Sequence, residues 1–158
     1  MRDIRRDLNP FYWVKRLFLL IAKFLRNSEP IFFENSRIPG ILSMVAPLKI
    51  GAICIGPVVF ARYNISDQTK RHETIHWQQC IDLLLLGTAI VYVYDWIKGL
   101  VKYRADFSGT NPRGTKYTSV GNKAYFRTRA EQEAYESDHD PDYLKSRKRW
   151  AWLRKYKV

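Results

Sequence analysis

The stretch "RHETIHWQQ" (71–79) uses two of the chain's three histidines four residues apart, with a glutamate directly after the first. On a helix, side chains four apart lie on one face about 6 Å from each other, so His72 and His76 can grip a single ion. Glu73 then stands beside the open side of that ion, where its carboxylate can take a proton from water. His72, Glu73, His76 and Gln79 cluster on one side of the run. Reading 72–76 as an H-E-x-x-H metal helix decides the fold, because the rest of the chain must supply a third ligand and hold it there.

Outward from the motif, Ser66 and Asp67 offer an N-cap. Helical character then continues toward Gly99 or Arg104, with a bend or break expected at Gly87. The first half of this long segment is polar and the second half oily. Residues 83–94, "LLLLGTAIVYVY", stop at Asp95, short of the ~20 residues a bilayer requires, and so predict a buried helix. Upstream, Pro30, Pro39, Pro47 and Pro57 punctuate runs rich in β-branched and aromatic residues, which predict short strands or a hairpin, with Pro57 at an edge or bulge. Further upstream, Asn9 and Pro10 start a basic amphipathic helix that runs to Arg26. Downstream, "ADFSGTNPRGTKYTSVGN" reads as a long loop. Its G-x-x-x-x-G spacing is followed by Thr115 and Lys116 in the wrong order for a phosphate loop. "KAYFRTRAEQEAYESD" is rich in helix formers, and Asp140 with Pro141 opens a last helix over "DYLKSRKRWAWLRKY".

The whole chain has 158 residues, one domain in size, and its 46% apolar content argues against disorder. Lys and Arg number 27 against 15 Asp and Glu, a formal charge of +12. That excess suits an anionic partner, either lipid headgroups or nucleic acid. Basic residues alternate with Trp150, Trp152 and Tyr156 at the C-terminus, where no acid follows Asp142. Such interleaving suits phosphate contacts or an interfacial anchor, against a default of a solvated basic face with its aromatics packed inward. Two cysteines, Cys54 and Cys80, are too few for a disulfide framework and read as buried free thiols in a reducing compartment. The first residues mix acids with bases ahead of a short apolar run, unlike a cleavable signal peptide. A cytoplasmic protein with peripheral membrane contact through its basic aromatic helices is the expectation, with nucleic acid the weaker partner.

Among residues able to complete the metal site, "RAEQEAY" stands out: Glu131 begins E-x-x-A on a predicted helix, and Glu133 competes with it from another face. Cys80, one turn after His76, is a small core residue or a fourth ligand. Gln79 is placed to orient a ligand.

H-E-x-x-H with a later E-x-x-A helix resembles the gluzincin branch of zinc metallopeptidases. "HETIHWQQ", "EQEAY" and "YLKSRKRW" resemble small bacterial and phage proteins of that type, over roughly residues 46–156. The resemblance implies a Zn²⁺ ion held by His72, His76 and Glu131, with Glu73 as general base. It implies a peptide or protein substrate laid along the strand near residues 49–62. It also implies an oxyanion-stabilising side chain after the ligand helix, for which His139 is the candidate and Tyr135 and Tyr143 are rivals. At Tyr135 the chain departs from the Asp that larger gluzincins use to support a histidine ligand. The resulting expectation is an α+β fold, mostly helical. A small N-terminal sheet or hairpin packs on the H-E-x-x-H helix and a second metal-ligand helix, in a zincin-like domain over residues 29–158 preceded by the 1–28 helix.

Overall fold

A computed structural model describes residues 28–44, 46 and 49–158, together with Phe11, Val14, Leu17 and Ile21. The expected helix over residues 9–26 otherwise lies outside the described residues; the four that are described are helical and exposed. The fold is α+β, with helix predominating. In chain order the elements are β1 (Ile31–Phe33), α1 (Ile38–Leu42), β2 (Ala52–Ile55), β3 (Val58–Ala61), α2 (Asp67–Leu83), α3 (Leu86–Tyr103), α4 (Val120–Phe126), α5 (Arg129–Ser137), α6 (Tyr143–Ser146) and α7 (Ala151–Lys155).

The sheet has the order β1-β3-β2, with β1 parallel and β2 antiparallel to the central β3. Ile55 pairs with Val58, so Gly56 and Pro57 are the two turn residues, and Gly56 takes a φ of +60°. Pro57 thus sits in the hairpin turn rather than within an edge strand, where its missing N–H costs no ladder bond. Its carbonyl accepts from the Ile31 amide at 2.8 Å. β2 packs on α2, and Cys54 meets a small core of Trp77, Cys80 and Ile81 there.

α2 begins where Ser66 caps it, the Ser66 hydroxyl accepting from the Thr69 amide at 3.2 Å. It ends at Leu83, four positions before Gly87. Leu84 and Leu85 take positive φ values of 53° and 25°, and the chain turns by 110° into α3. Left-handed leucines cost on the order of 1–2 kcal/mol each. Local capping bonds offset that cost: the Leu85 amide donates to Cys80 O at 2.8 Å, and the Thr88 hydroxyl donates to Gln79 O at 2.8 Å. Residues 83–94 are not a buried helix. α3 turns Thr88, Asp95 and Gly99 inward and most of its aliphatic residues outward.

The two downstream helices expected from composition are each split. Thr128 interrupts the first, its hydroxyl accepting from the Glu131 amide to cap α5. Arg147 interrupts the second, because its buried guanidinium is drawn to Asp82 and Glu133 between α6 and α7. Trp152 is fully buried, and with Ala130 and Tyr156 it forms a second core cluster against Leu83, Val91 and Tyr92.

Candidate metal centre

α2 and α5 lie against each other and set the site between them. α5 is pinned on both sides of Glu131. Arg129 grips the buried Asp95 of α3 with Nε to Oδ2 at 2.8 Å and Nη2 to Oδ1 at 2.7 Å. Gln79 of α2 donates to Ala130 O at 3.0 Å and to Glu133 Oε2 at 2.7 Å. Bidentate and charge-assisted bonds of this kind fix orientation as well as distance. Glu131 is thereby carried, 2% exposed, to the face of α2 that bears His72 and His76.

The two histidines turn the same ring nitrogen inward. His72 Nε2 and His76 Nε2 are 3.2 Å apart, His76 Nε2 is 3.3 Å from Glu131 Oε1, and His72 Nε2 is 3.5 Å from Glu131 Oε2. A tetrahedron with bonds of about 2.0–2.1 Å has edges of about 3.3–3.4 Å, so these separations leave room for one ion with all three side chains as ligands. The outward nitrogens are held separately. His72 Nδ1 meets Asp138 Oδ2 at 3.0 Å, and His76 Nδ1 meets Gln79 Oε1 at 2.8 Å. Outer partners of this type fix the tautomer and ring orientation of metal-bound histidines. Glu131 Oε1 accepts from the Tyr92 hydroxyl at 3.0 Å, while Oε2 is buried with no hydrogen-bond partner. An orphaned buried carboxylate oxygen is costly, and a cation beside it removes that cost. The donor set therefore fits a metal ion, and His72, His76 and Glu131 form a group that can hold one.

The electrostatics bind the three groups into one unit. Burial works against a charge on His76, yet the adjacent Glu131 carboxylate raises the imidazole to about 10. His72 is likewise raised despite its burial, by its bond to Asp138 and by the nearby Glu131 carboxylate. Burial pushes Glu131 up, but the two imidazoles overcome it and hold the carboxyl far below its usual range. Glu73 is also buried, which raises its carboxyl, and the two imidazoles only partly counter this.

The site lies in a cavity of about 920 Å³. Its walls are largely apolar, with Ile53 and Cys54 of β2 on one side and Leu85, Ala89 and Val93 of the α2–α3 break and α3 on another. Glu73, Tyr135 and Arg113 also line it. The Tyr135 ring stands edge-on to His72 with centroids 4.5 Å apart, and the Arg113 guanidinium lies over that ring at 5.3 Å.

Of the residues singled out from sequence, His72, Glu73, His76 and Glu131 meet in this cavity. His139 does not: it is exposed just beyond α5 and does not line the cavity. Tyr143 donates to Glu133 Oε1 at 2.7 Å, which takes it away from the site. Glu133 is fully buried but bound to Arg147, Gln79 and Tyr143, so it is a structural partner. Cys80 packs with Trp77, Ile81 and Cys54 and also lines the cavity, but it is not among the residues grouped to hold an ion.

Asp138 is the residue that the sequence reading missed. It stands seven positions after Glu131, two helical turns along the same stripe, and so reaches His72 where an aspartate at position 135 would otherwise do so. Gln68 Nε2 at 2.7 Å and Arg113 Nη2 at 3.2 Å donate to its carboxylate. A carboxylate at that seven-residue spacing was the available signal; Arg113, from the loop, and Tyr92, from the oily segment, gave none.

Compared with protein-family models, with curated proteins and with solved structures, the chain matches none.

Proposed function

We propose that this protein is a zinc-dependent metallopeptidase with a zincin-like active-site arrangement. The observation that carries the reading is the convergence of His72 Nε2, His76 Nε2 and the Glu131 carboxylate at 3.2–3.5 Å, beside a buried Glu73. Zinc suits two imidazoles and a carboxylate with one position left open, and when bound it supplies Lewis acidity to a scissile carbonyl and to water. Glu73 takes the proton from the attacking water and delivers it to the leaving amine. Its buried carboxyl, raised by desolvation, suits it to carry a proton in both directions. Asp138 and Gln79 hold the two imidazoles in place through their Nδ1 atoms.

Tyr135 takes the oxyanion-stabilising role in place of His139. It lines the cavity against His72, and burial raises its hydroxyl, which keeps it a neutral donor. The extended substrate runs along β2, an edge of the sheet that also lines the cavity. The apolar wall of Ile53, Leu85 and Val93 favours a bulky apolar side chain next to the scissile bond.

Hydrolysis of a quenched-fluorescent peptide library by zinc-loaded protein tests this reading. Glu73→Gln is expected to retain zinc and lose activity by about 10²–10⁴-fold. Activity unchanged in Glu73→Gln, or absent from zinc-loaded wild type across the library, contradicts the assignment.

A further inference from the structure

α3 reverses the usual arrangement of a globular helix. Its buried residues are Thr88, Asp95 and Gly99. Leu86, Ile90, Val93, Ile97 and Val101, with Tyr94 beside them, are 51–72% exposed. Spaced by three and four, these residues form a single stripe along the helix. Leu84 and Leu85, at the break before it, extend the stripe with exposures of 61% and 49%. A contiguous exposed apolar face of this length marks an interaction surface.

Charge decides what covers it. Lys98 and Lys102 border the stripe on one side, Arg104 follows the helix end, and all three are exposed. The one acid of α3, Asp95, faces inward and is neutralised by Arg129. The chain as a whole carries +12. An apolar stripe edged by lysines on a strongly basic protein complements an anionic bilayer, with aliphatic side chains among the acyl chains and ammonium groups at the phosphates. Among the described residues no single helix is long and apolar enough to cross a membrane, and α2 and α3, which reach that length and composition only together, are bent by 110°; one apolar face edged by lysines suits a helix lying in the plane of the interface. Phe11, Val14, Leu17 and Ile21 repeat the pattern, helical, spaced by three and four, and 48–82% exposed.

We propose that the outward face of α3, with Leu84 and Leu85, seats this protein on an anionic lipid surface. Leu85, Ala89 and Val93 belong to the same segment and to the cavity wall, so seating brings the cavity to the lipid boundary. The proposal stands whether or not the site hydrolyses peptides.

The test uses the full chain with Cys54→Ser and Cys80→Ser and a single new cysteine, Ile90→Cys, Ile97→Cys or Thr110→Cys, labelled with an environment-sensitive fluorophore. Vesicles are of phosphatidylcholine alone or in equal parts with phosphatidylglycerol. Labels at 90 and 97 are expected to shift to the blue on the anionic vesicles and to stay shifted at about 0.5 M salt, where exposed charges are screened; the label at 110 is expected not to shift. Ile90→Gln/Ile97→Gln, folded by circular dichroism, is expected to bind at least about tenfold more weakly. Three results overturn the proposal. One is vesicle binding without a shift at 90 and 97, which is adsorption by charge alone. Another is a label already blue-shifted before lipid is added, which means that the chain or a second copy covers the stripe. The last is undiminished binding by the double variant.

Discussion

Asp138 holds His72 from its Nδ1 side, whereas Tyr135 meets the same ring only edge-on. The aspartate accepts the Nδ1 proton, and it is held in turn by Gln68 and Arg113. Loss of such a partner typically costs 10–100-fold in metal affinity. Asp138→Ala is therefore expected to weaken zinc binding by about that factor in a competition titration against a chromophoric chelator, and an unchanged affinity would contradict its role. The protonation of the ligands gives a second expectation. Without metal, His76 is raised to about 10 and so favours the protonated form near neutrality, and His72 is raised in the same direction. Zinc takes the neutral imidazole, so binding must expel those protons, whereas Glu131 is already ionised and expels none. Affinity must then climb with pH, log K rising by at least about one per pH unit below the His76 value of about 10. A flat profile over that range would show that the imidazoles are not the ligands.

At the level of elements, the H-E-x-x-H helix was legible because its evidence is local: a serine cap, four-residue histidine spacing and a polar face. The helix breaks were not, each for its own reason. At Leu84 no glycine marks the left-handed turn, and the bonds that close it run from the Leu85 amide to Cys80 O and from the Thr88 hydroxyl to Gln79 O. Arg147 lies in a run of helix formers, yet it leaves the helix to place one guanidinium between Asp82 at 2.9 Å and Glu133 at 3.0 Å. Thr128 with Glu131 does follow the T-x-x-E pattern of a helix start, a local signal that a composition-led reading passed over. Arg147→Met leaves two buried carboxylates without their cation, which typically costs about 3–5 kcal/mol. Urea denaturation is expected to show that loss in the unfolding free energy. A change under about 1 kcal/mol would mean that the Asp82–Arg147–Glu133 cluster does not hold α5 against α2.

Across the molecule, polar groups gather inside and aliphatic ones outside to an unusual degree. The interior includes Gln79, Asp82, Asp95, Glu131, Glu133 and Arg147, while α3 turns its leucine, isoleucine and valine side chains outward. Sequence patterning assumes that oily runs are buried, which is why residues 83–94 were misread and the ligand helix could be placed only in outline. The mixed α+β class and the histidine pair followed from the sequence. The covering of Trp152 and Tyr156, which turns the C-terminal aromatics inward, is the default reading of that segment and is what the structure has. A buried polar interior is stable only when each charge has a partner. Among the described residues, His72, His76 and Glu131 form the one group of His, Cys, Asp and Glu side chains placed to hold an ion, and one Glu131 oxygen has no hydrogen-bond partner.

Metal content by mass spectrometry on protein expressed with added zinc, comparing wild type with Glu131→Gln and His139→Ala, tests that claim most directly. Glu131→Gln preserves the side chain's volume and its acceptor for Tyr92, and His139 is exposed outside the cavity. One zinc per chain in wild type and in His139→Ala, with most of it lost from folded Glu131→Gln, is the expected result. Folded wild type without zinc, or full retention in Glu131→Gln, would contradict the account.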